Sequence, residues 1–416
     1  MRLMLICLPN YQDIMRKIIS GVALLFSIIA TAQVTIESMK PTSFGNGILN
    51  FKGANDSWSI KMGARMQLLS TNNWFYDDGE LTDHISTALV RRSRLKFDGY
   101  VYSPKIKYKL ELGLSNNDLS NSTPESSAFA AAKYAPRMVL DAVVMWNFVD
   151  NFTVWFGQTK LPGNLERVIS SSSLQLVDRS RVNSEFTLDR EFALQLRYHH
   201  KVSCNFVIRE RIAIAQGEGR NVTVNNTGGH HYMGRVELLP FGLFESKGDY
   251  KGGDLKREKT PKLMLSSTYS YNSDAKKTRG SQGKYFEDID SAYKGLTTDV
   301  TSVFVDAMFK YRGFSFMGEY ADRTAGSNLV RVGDGLNLAT GYLFKSNWEL
   351  ASRYTNVSVA WFDGAADKVE ERNEYTVGVS RYVAGHNLKI QSDLSYIDIV
   401  GKGSRIGFRL QVEIQL

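Results

Sequence analysis

Cysteine is nearly missing from these 416 residues, with Cys7 and Cys204 the two present. Cys7 falls in a stretch that reads as a removable targeting segment, so the mature chain has no intrachain disulfide to staple it. Proline is also scarce, at 8, whereas aromatic residues make up 12%. After residue 33 no stretch has the ~18 consecutive apolar residues that a spanning helix requires, which excludes a bundle of membrane helices. Catalytic signatures are missing too: there is no H-E-x-x-H, no G-x-S-x-G and no Walker loop. Gly401-Lys402-Gly403 is a glycine-rich turn between two strands, with no following helix to hold phosphate. The pairs His199-His200 and His230-His231 lie in or near turns, and neighbours on a strand point to opposite faces, so neither pair makes a joint metal site. These absences argue against an enzyme, against a cofactor or metal, and against nucleic acid as a partner.

The N-terminus carries a secretory pattern. Met15-Arg16-Lys17 is a positive region, Ile18 to Ile29 an apolar one, and Ala30-Thr31-Ala32 a cleavage site before Gln33. Residues 1–32 are therefore expected to be a signal peptide, with Met15 as the true start. Residues 33–57 are expected to be a periplasmic N-terminal segment, and 58–416 the folded domain.

What fills that domain is alternation with period two, in segments of about ten residues, the pattern of a transmembrane β-barrel. From Lys105 to Leu114 every even position is apolar or aromatic, and Lys105, Lys107 and Lys109 hold the odd ones. Sixteen strands are expected near 58–69, 89–102, 105–114, 137–148, 152–160, 191–199, 203–215, 231–240, 262–271, 299–311, 314–322, 337–344, 347–358, 373–382, 386–398 and 405–416. Tight turns at Ser103-Pro104, Asp150-Asn151, Arg312-Gly313, Lys345-Ser346 and Ala384-Gly385 alternate with longer loops, among them 70–88, 161–190 and 359–372. An even strand count with short turns at one end fits an outer-membrane barrel. Residues 241–261 break the rule, being long where a short turn belongs, and read as a solvated periplasmic excursion. A soluble β-sandwich alternates as well. Against it, aromatics flank the tight turns (Phe148 and Phe152, Tyr311 and Phe314, Phe344 and Trp348), as a membrane girdle would. The chain also ends on an alternating strand, although on Leu416 rather than an aromatic.

With the apolar faces given to lipid, the other faces point inward. The formal net charge of +8 is a mild excess, but its distribution is lopsided. Lys61 and Arg65 on the first strand, Arg92, Arg94 and Lys96 on the second, Lys105, Lys107 and Lys109 on the third, and Arg405 and Arg409 on the last form a basic lumen wall if the barrel closes. Asp98, Glu111 and Glu413 are the acids among them. Arg91 and Ser93 fall on the lipid parity of the second strand, near its loop end, where an arginine can snorkel. Elsewhere the wall is mixed, with Asp306, Glu319, Glu349 and Arg353. The loop 161–190 carries its own apolar residues and is expected to fold into the barrel mouth as a constriction. Lys160, Arg167, Arg179, Arg181 and Arg190 are its candidates for touching an anion, with Glu166, Asp178, Glu185 and Asp189 beside them.

The stretch Gly157-Gln158-Thr159-Lys160-Leu161-Pro162, then Leu165-Glu166-Arg167, then Asp189-Arg190-Glu191 resembles the phosphate-selective porin O and P family, and the resemblance extends from about Ile60 to Leu416. It implies a sixteen-stranded barrel in the outer membrane of a Gram-negative-type bacterium, conducting small anions as a homotrimer set in lipid. The family's phosphate-specific members carry a denser ladder of arginines than is visible along this chain, so an anion porin is the expectation ahead of a phosphate porin. A general non-selective porin, and a plugged barrel serving as a surface adhesin or anchor, are the alternatives.

Overall fold

Strands that are apolar on one face and polar on the other survive in lipid only as a closed sheet, because an open edge would leave backbone groups unpaired. The structure is a computed structural model that describes residues 42–115, 118, 138–222, 229–362 and 367–416. The targeting segment and residues 33–41 lie outside the described residues. Sixteen strands form the closed antiparallel barrel: β1 (Trp58–Asp77), β2 (Glu80–Val101), β3 (Ser103–Gly113), β4 (Val139–Val149), β5 (Phe152–Lys160), β6 (Arg190–Lys201), β7 (Val207–Ala215), β8 (His231–Leu239), β9 (Lys262–Ala275), β10 (Thr298–Tyr311), β11 (Phe314–Ala325), β12 (Val332–Leu343), β13 (Trp348–Phe362), β14 (Asp367–Tyr382), β15 (Leu388–Ile399) and β16 (Ser404–Gln415). Each pairs with its neighbour in sequence. The seam is β16 on β1, in register from Ser404↔Tyr76 to Gln415↔Arg65. Below the end of β16 the short strand Leu49–Lys52 takes over that side of β1, pairing with Ser59 to Met62.

The turns follow local chemistry. Arg312 and Gly313 both have positive φ, 48° and 96°, the two-residue hairpin geometry that matches strand twist. Of the aromatic pairs beside the turns, Phe148 and Phe152 are in contact at 6.1 Å between ring centroids, while Phe314 meets Phe309 and Phe344 meets Tyr342. Two expected loops are instead strand. β1 and β2 run on for 20 and 22 residues to a turn at Asp78-Gly79, so Ser70 pairs with Ala88 and Trp74 with His84. Residues 359–362 and 367–372 likewise extend β13 and β14. Above the membrane both faces of a hairpin meet water, and the apolar alternation that marks a strand in sequence disappears there.

Candidate functional site

The chain leaves β5 at Leu161-Pro162-Gly163 and returns at β6, and the intervening loop lies across the lumen. Helix α1 (Leu165–Val168) and helix α2 (Arg181–Phe186) are single turns, and Ser180 caps α2 by accepting from the Asn183 N–H. Such short helices need outside support, and the barrel wall supplies it. Asp306 of β10 accepts from the Leu165 N–H at 3.2 Å, and Glu319 of β11 from the Glu166 N–H at 2.9 Å. On the far side Asp393 of β15 accepts from the Val177 N–H at 3.0 Å, and Lys389 Nζ donates to the Leu174 carbonyl at 2.9 Å. Leu161, Leu165, Ile169, Val177, Val182 and Phe186 are all buried.

Residues 241–261 also fold inward, which corrects the solvated excursion expected for them. The reason is a second set of apolar and polar anchors. Phe244 and Tyr250 pack against Leu165, Ile169 and Leu174 of the loop, together with Val207, Met264 and Met308 from the wall. Arg209 Nη1 meets Asp249 at 2.6 Å. The Tyr250 hydroxyl donates to Glu237 and accepts from Arg211, and burial pushes that phenol up to about 12. At the tip, the Gly252 N–H donates to the Ser173 carbonyl at 2.6 Å. Lys256 lines a cavity there, and Arg257 donates to the Leu343 and Arg312 carbonyls, so neither is remote from the lumen.

Space remains on the opposite side of the loop. A chamber of about 320 Å³ is lined by Arg92, Arg94, Lys96, Lys109, Lys160, Arg167, Arg179, Arg190, Arg197 and Arg211, against the two carboxylates Glu111 and Asp141. Above it, toward the long loops, a vestibule of about 420 Å³ is lined by ten arginines, including Arg91, Arg181, Arg279, Arg353, Arg372, Arg405 and Arg409, against Asp178, Asp189 and Glu374. Arg92, Arg167 and Arg179 line both, and mark the passage between them.

The candidate residues divide by what holds them. Arg65 is buried, with Nε 2.7 Å from Glu413 and Nη2 donating to Ser171. Arg94 meets Glu111 at 2.8 Å, Lys109 bridges Glu111 and Asp141, and Arg190 meets Asp141 at 2.9 Å. Arg409 meets Asp393 at 2.6 Å, and Arg181 lies 2.7 Å from Glu185 and 3.3 Å from Glu370. Arg167 Nε donates to Asp189 at 2.7 Å. Burial opposes ionisation of the Asp189 carboxyl, yet the Arg167 and Arg190 guanidiniums beside it hold it well below the usual carboxylate range. Lys160 is spent on structure: its Nζ donates to the carbonyls of Arg167, Val168 and Ile169. Arg179 donates to the Glu166 and Ile169 carbonyls. Arg405 lines the vestibule. Lys105 and Lys107 are exposed near the turn end of β3, and with the half-buried Lys61 they do not line the chamber.

Six arginines that line these two spaces were not among the candidates: Arg91, Arg197, Arg211, Arg279, Arg353 and Arg372. Arg197 and Arg211 face each other across β6 and β7, on the polar parity beside outward Leu196 and Ile212, and the alternation rule applied there would have found them. The Arg197 guanidinium lies 3.5 Å from the centre of the Trp155 ring, a cation–π contact. Arg372 fell in the expected loop 359–372, and only the extension of β14 down to Asp367 brings it into the vestibule wall. Arg91 was assigned to lipid, and its place is a correction. A bulge skips it, pairing Gln67 with Arg92 and Leu68 with Val90. Both arginines therefore turn inward, and Arg91 reaches Asp178 at 2.6 Å.

Residues 60–331 match the protein family described as phosphate-selective porin O and P. A curated relative from Aquifex aeolicus, an uncharacterized protein, is 24% identical over 291 residues, 65% of each chain, so the match spans just under two thirds of that relative's length. Among solved structures the chain is similar to OmpF of Salmonella typhi in complex with daunomycin, at 11% identity over 86% of this chain and 99% of that one, with a TM-score of 0.52. It is also similar to OmpT of Vibrio cholerae, at 12% identity over 87% and 98%, with a TM-score of 0.50. At such identities the likeness is one of fold.

Proposed function

The chain belongs to the phosphate-selective porin O and P family, and from that premise we propose that this outer-membrane porin conducts small anions, phosphate among them. The observation that carries the reading is the chamber, with ten cationic side chains and two carboxylates in its lining. Arg92, Lys96 and Arg197 have no carboxylate within salt-bridge distance among the described residues, so their charge is open to a solute, and Arg179, though it donates to loop carbonyls, adds positive charge that no carboxylate at that distance offsets. A unit charge ~4 Å from an anion, at an effective dielectric of ~20, contributes about 4 kcal/mol before desolvation is subtracted. Two or three such groups offset an anion's lost hydration. Many more would trap it, because conduction requires sites that release. Glu111, Asp141, Asp178 and Asp189 beside the arginines keep the binding shallow. An arginine fork also matches phosphate geometry, and the passage is bounded by three of them. That the lumen keeps open chambers beside its two inserted segments disfavours a plugged anchor. By the family resemblance the protein works as a homotrimer, and by the Ala30-Thr31-Ala32 site it does so after removal of residues 1–32.

The experiment is a reversal potential across a planar bilayer under a salt gradient. Chloride should pass in preference to potassium, with phosphate competing weakly for the same path. Cation preference in the unaltered protein would refute the electrostatic reading. Block by micromolar phosphate would refute shallow binding and make phosphate the dedicated substrate.

A further inference from the structure

We propose that residues 244–258, inserted from the short-turn end, are a selectivity plug: they close a second route through the barrel, charge-balanced in its lower part, and so direct solutes into the basic chamber. The proposal rests on the anion-path reading above and concerns the other side of the loop. There, three cavities follow one another from end to end. The lowest, of about 500 Å³, lies between the inserted segment and the ends of the strands around it. The next, of about 30 Å³, is narrow and apolar, and the third is the arginine vestibule. Successive cavities share their walls: Gly253 lines the first and second, and Asp178 and Arg353 line the second and third.

What divides the first from the second is the tip Gly252-Gly253, seated on the loop. A Cβ on Gly252 would lie 2.5 Å from the Gln175 backbone nitrogen, and one on Gly253 would lie 2.7 Å from Glu349 Oε1. Gly253 also has a φ of +63°, a conformation that favours glycine. Gly252 thus lets this backbone close against the loop where a side chain would hold it off, and Gly253 makes the turn beside Glu349 of the wall. Lys310 Nζ fixes the tip from the wall by donating to the Lys251 and Gly253 carbonyls. The lowest cavity is lined by Glu245, Asp254 and Glu258 against Lys251, Lys256 and Lys310. This lower part of the route would add no charge preference of its own to that of the vestibule.

The test replaces residues 245–257 of the full chain with a short Gly-Ser turn and records single channels under a potassium chloride gradient. Unit conductance should rise about twofold or more as the larger cavity joins the path, and the reversal potential should move toward zero as part of the current bypasses the basic chamber. Gly252→Val, which changes no charge, should move both readings the same way by a smaller amount, and it decides alone if the trimmed barrel cannot be refolded. Conductance and reversal potential unchanged in Gly252→Val, or in both variants, would overturn the plug. Failure of the anion reading would look different: the unaltered protein would show no anion preference, while trimming would still raise conductance.

Discussion

The two sides of the lumen obey one strand rule and end in different chemistry. Along β8 to β11, inward polar groups are covered by the inserted segments and paired off. Arg235 is the clearest case: its guanidinium meets Asp306 at 2.5 Å and Glu237 at 2.8 Å, and donates to the Gly163 carbonyl, Thr268 and Ser266. Along β2 to β7 the same parity yields Arg92, Lys96 and Arg197, which face open space. A polar lumen face is therefore a precondition for conduction. Whether a given charge conducts or merely holds the fold depends on what is laid over it.

Four changes would sharpen or break that contrast. The largest effect is expected at the passage. Arg92→Glu with Arg179→Glu removes two of the three arginines that line both chambers, and the reversal potential should shift toward cation preference or change sign. On the covered side, Arg235→Ala should cost the barrel about 3–5 kcal/mol, because it leaves Asp306 buried without its counter-charge, while Glu237 keeps Arg209 and Arg211. Denaturant unfolding in detergent measures this, and a large change in selectivity without a stability loss would contradict the division. A cysteine at Lys109, inward on β3, should react with a small water-soluble thiol reagent, whereas one at Leu110 should be shielded by lipid. Cys204 is exposed and free, so it is first changed to Ser. Equal reactivity at the two positions would refute the strand parity. Smallest of all, Lys105→Ala and Lys107→Ala should leave the reversal potential nearly unchanged, since both side chains sit in exposed positions at the turn end, where salt screens them.

Sixteen strands and the seam of β16 on β1 were legible from alternation alone, because lipid punishes a misplaced charge by ~2–4 kcal/mol near the midplane and so enforces period two. Where that penalty stops, the reading stops as well. The hairpin from Ser70 to Ala88 stands in water and looked like a loop. Arg91 follows a single bulge that no periodicity announces. The arginine array was hidden for a related reason. Arg91, Arg279, Arg353, Arg372 and Arg405 come from strands and loops far apart in the chain, and line one vestibule only once the barrel has closed. Lys160 and Arg179 were visible as cations, yet which carbonyls they would meet depends on how the loop folds against Asp306, Glu319 and Asp393. The basic stripe follows from strand order, which the chain encodes locally. The covering of the other wall follows from long-range packing: Phe244 and Tyr250 meet Leu165, Ile169 and Leu174 across some eighty residues of chain, and no local rule connects them.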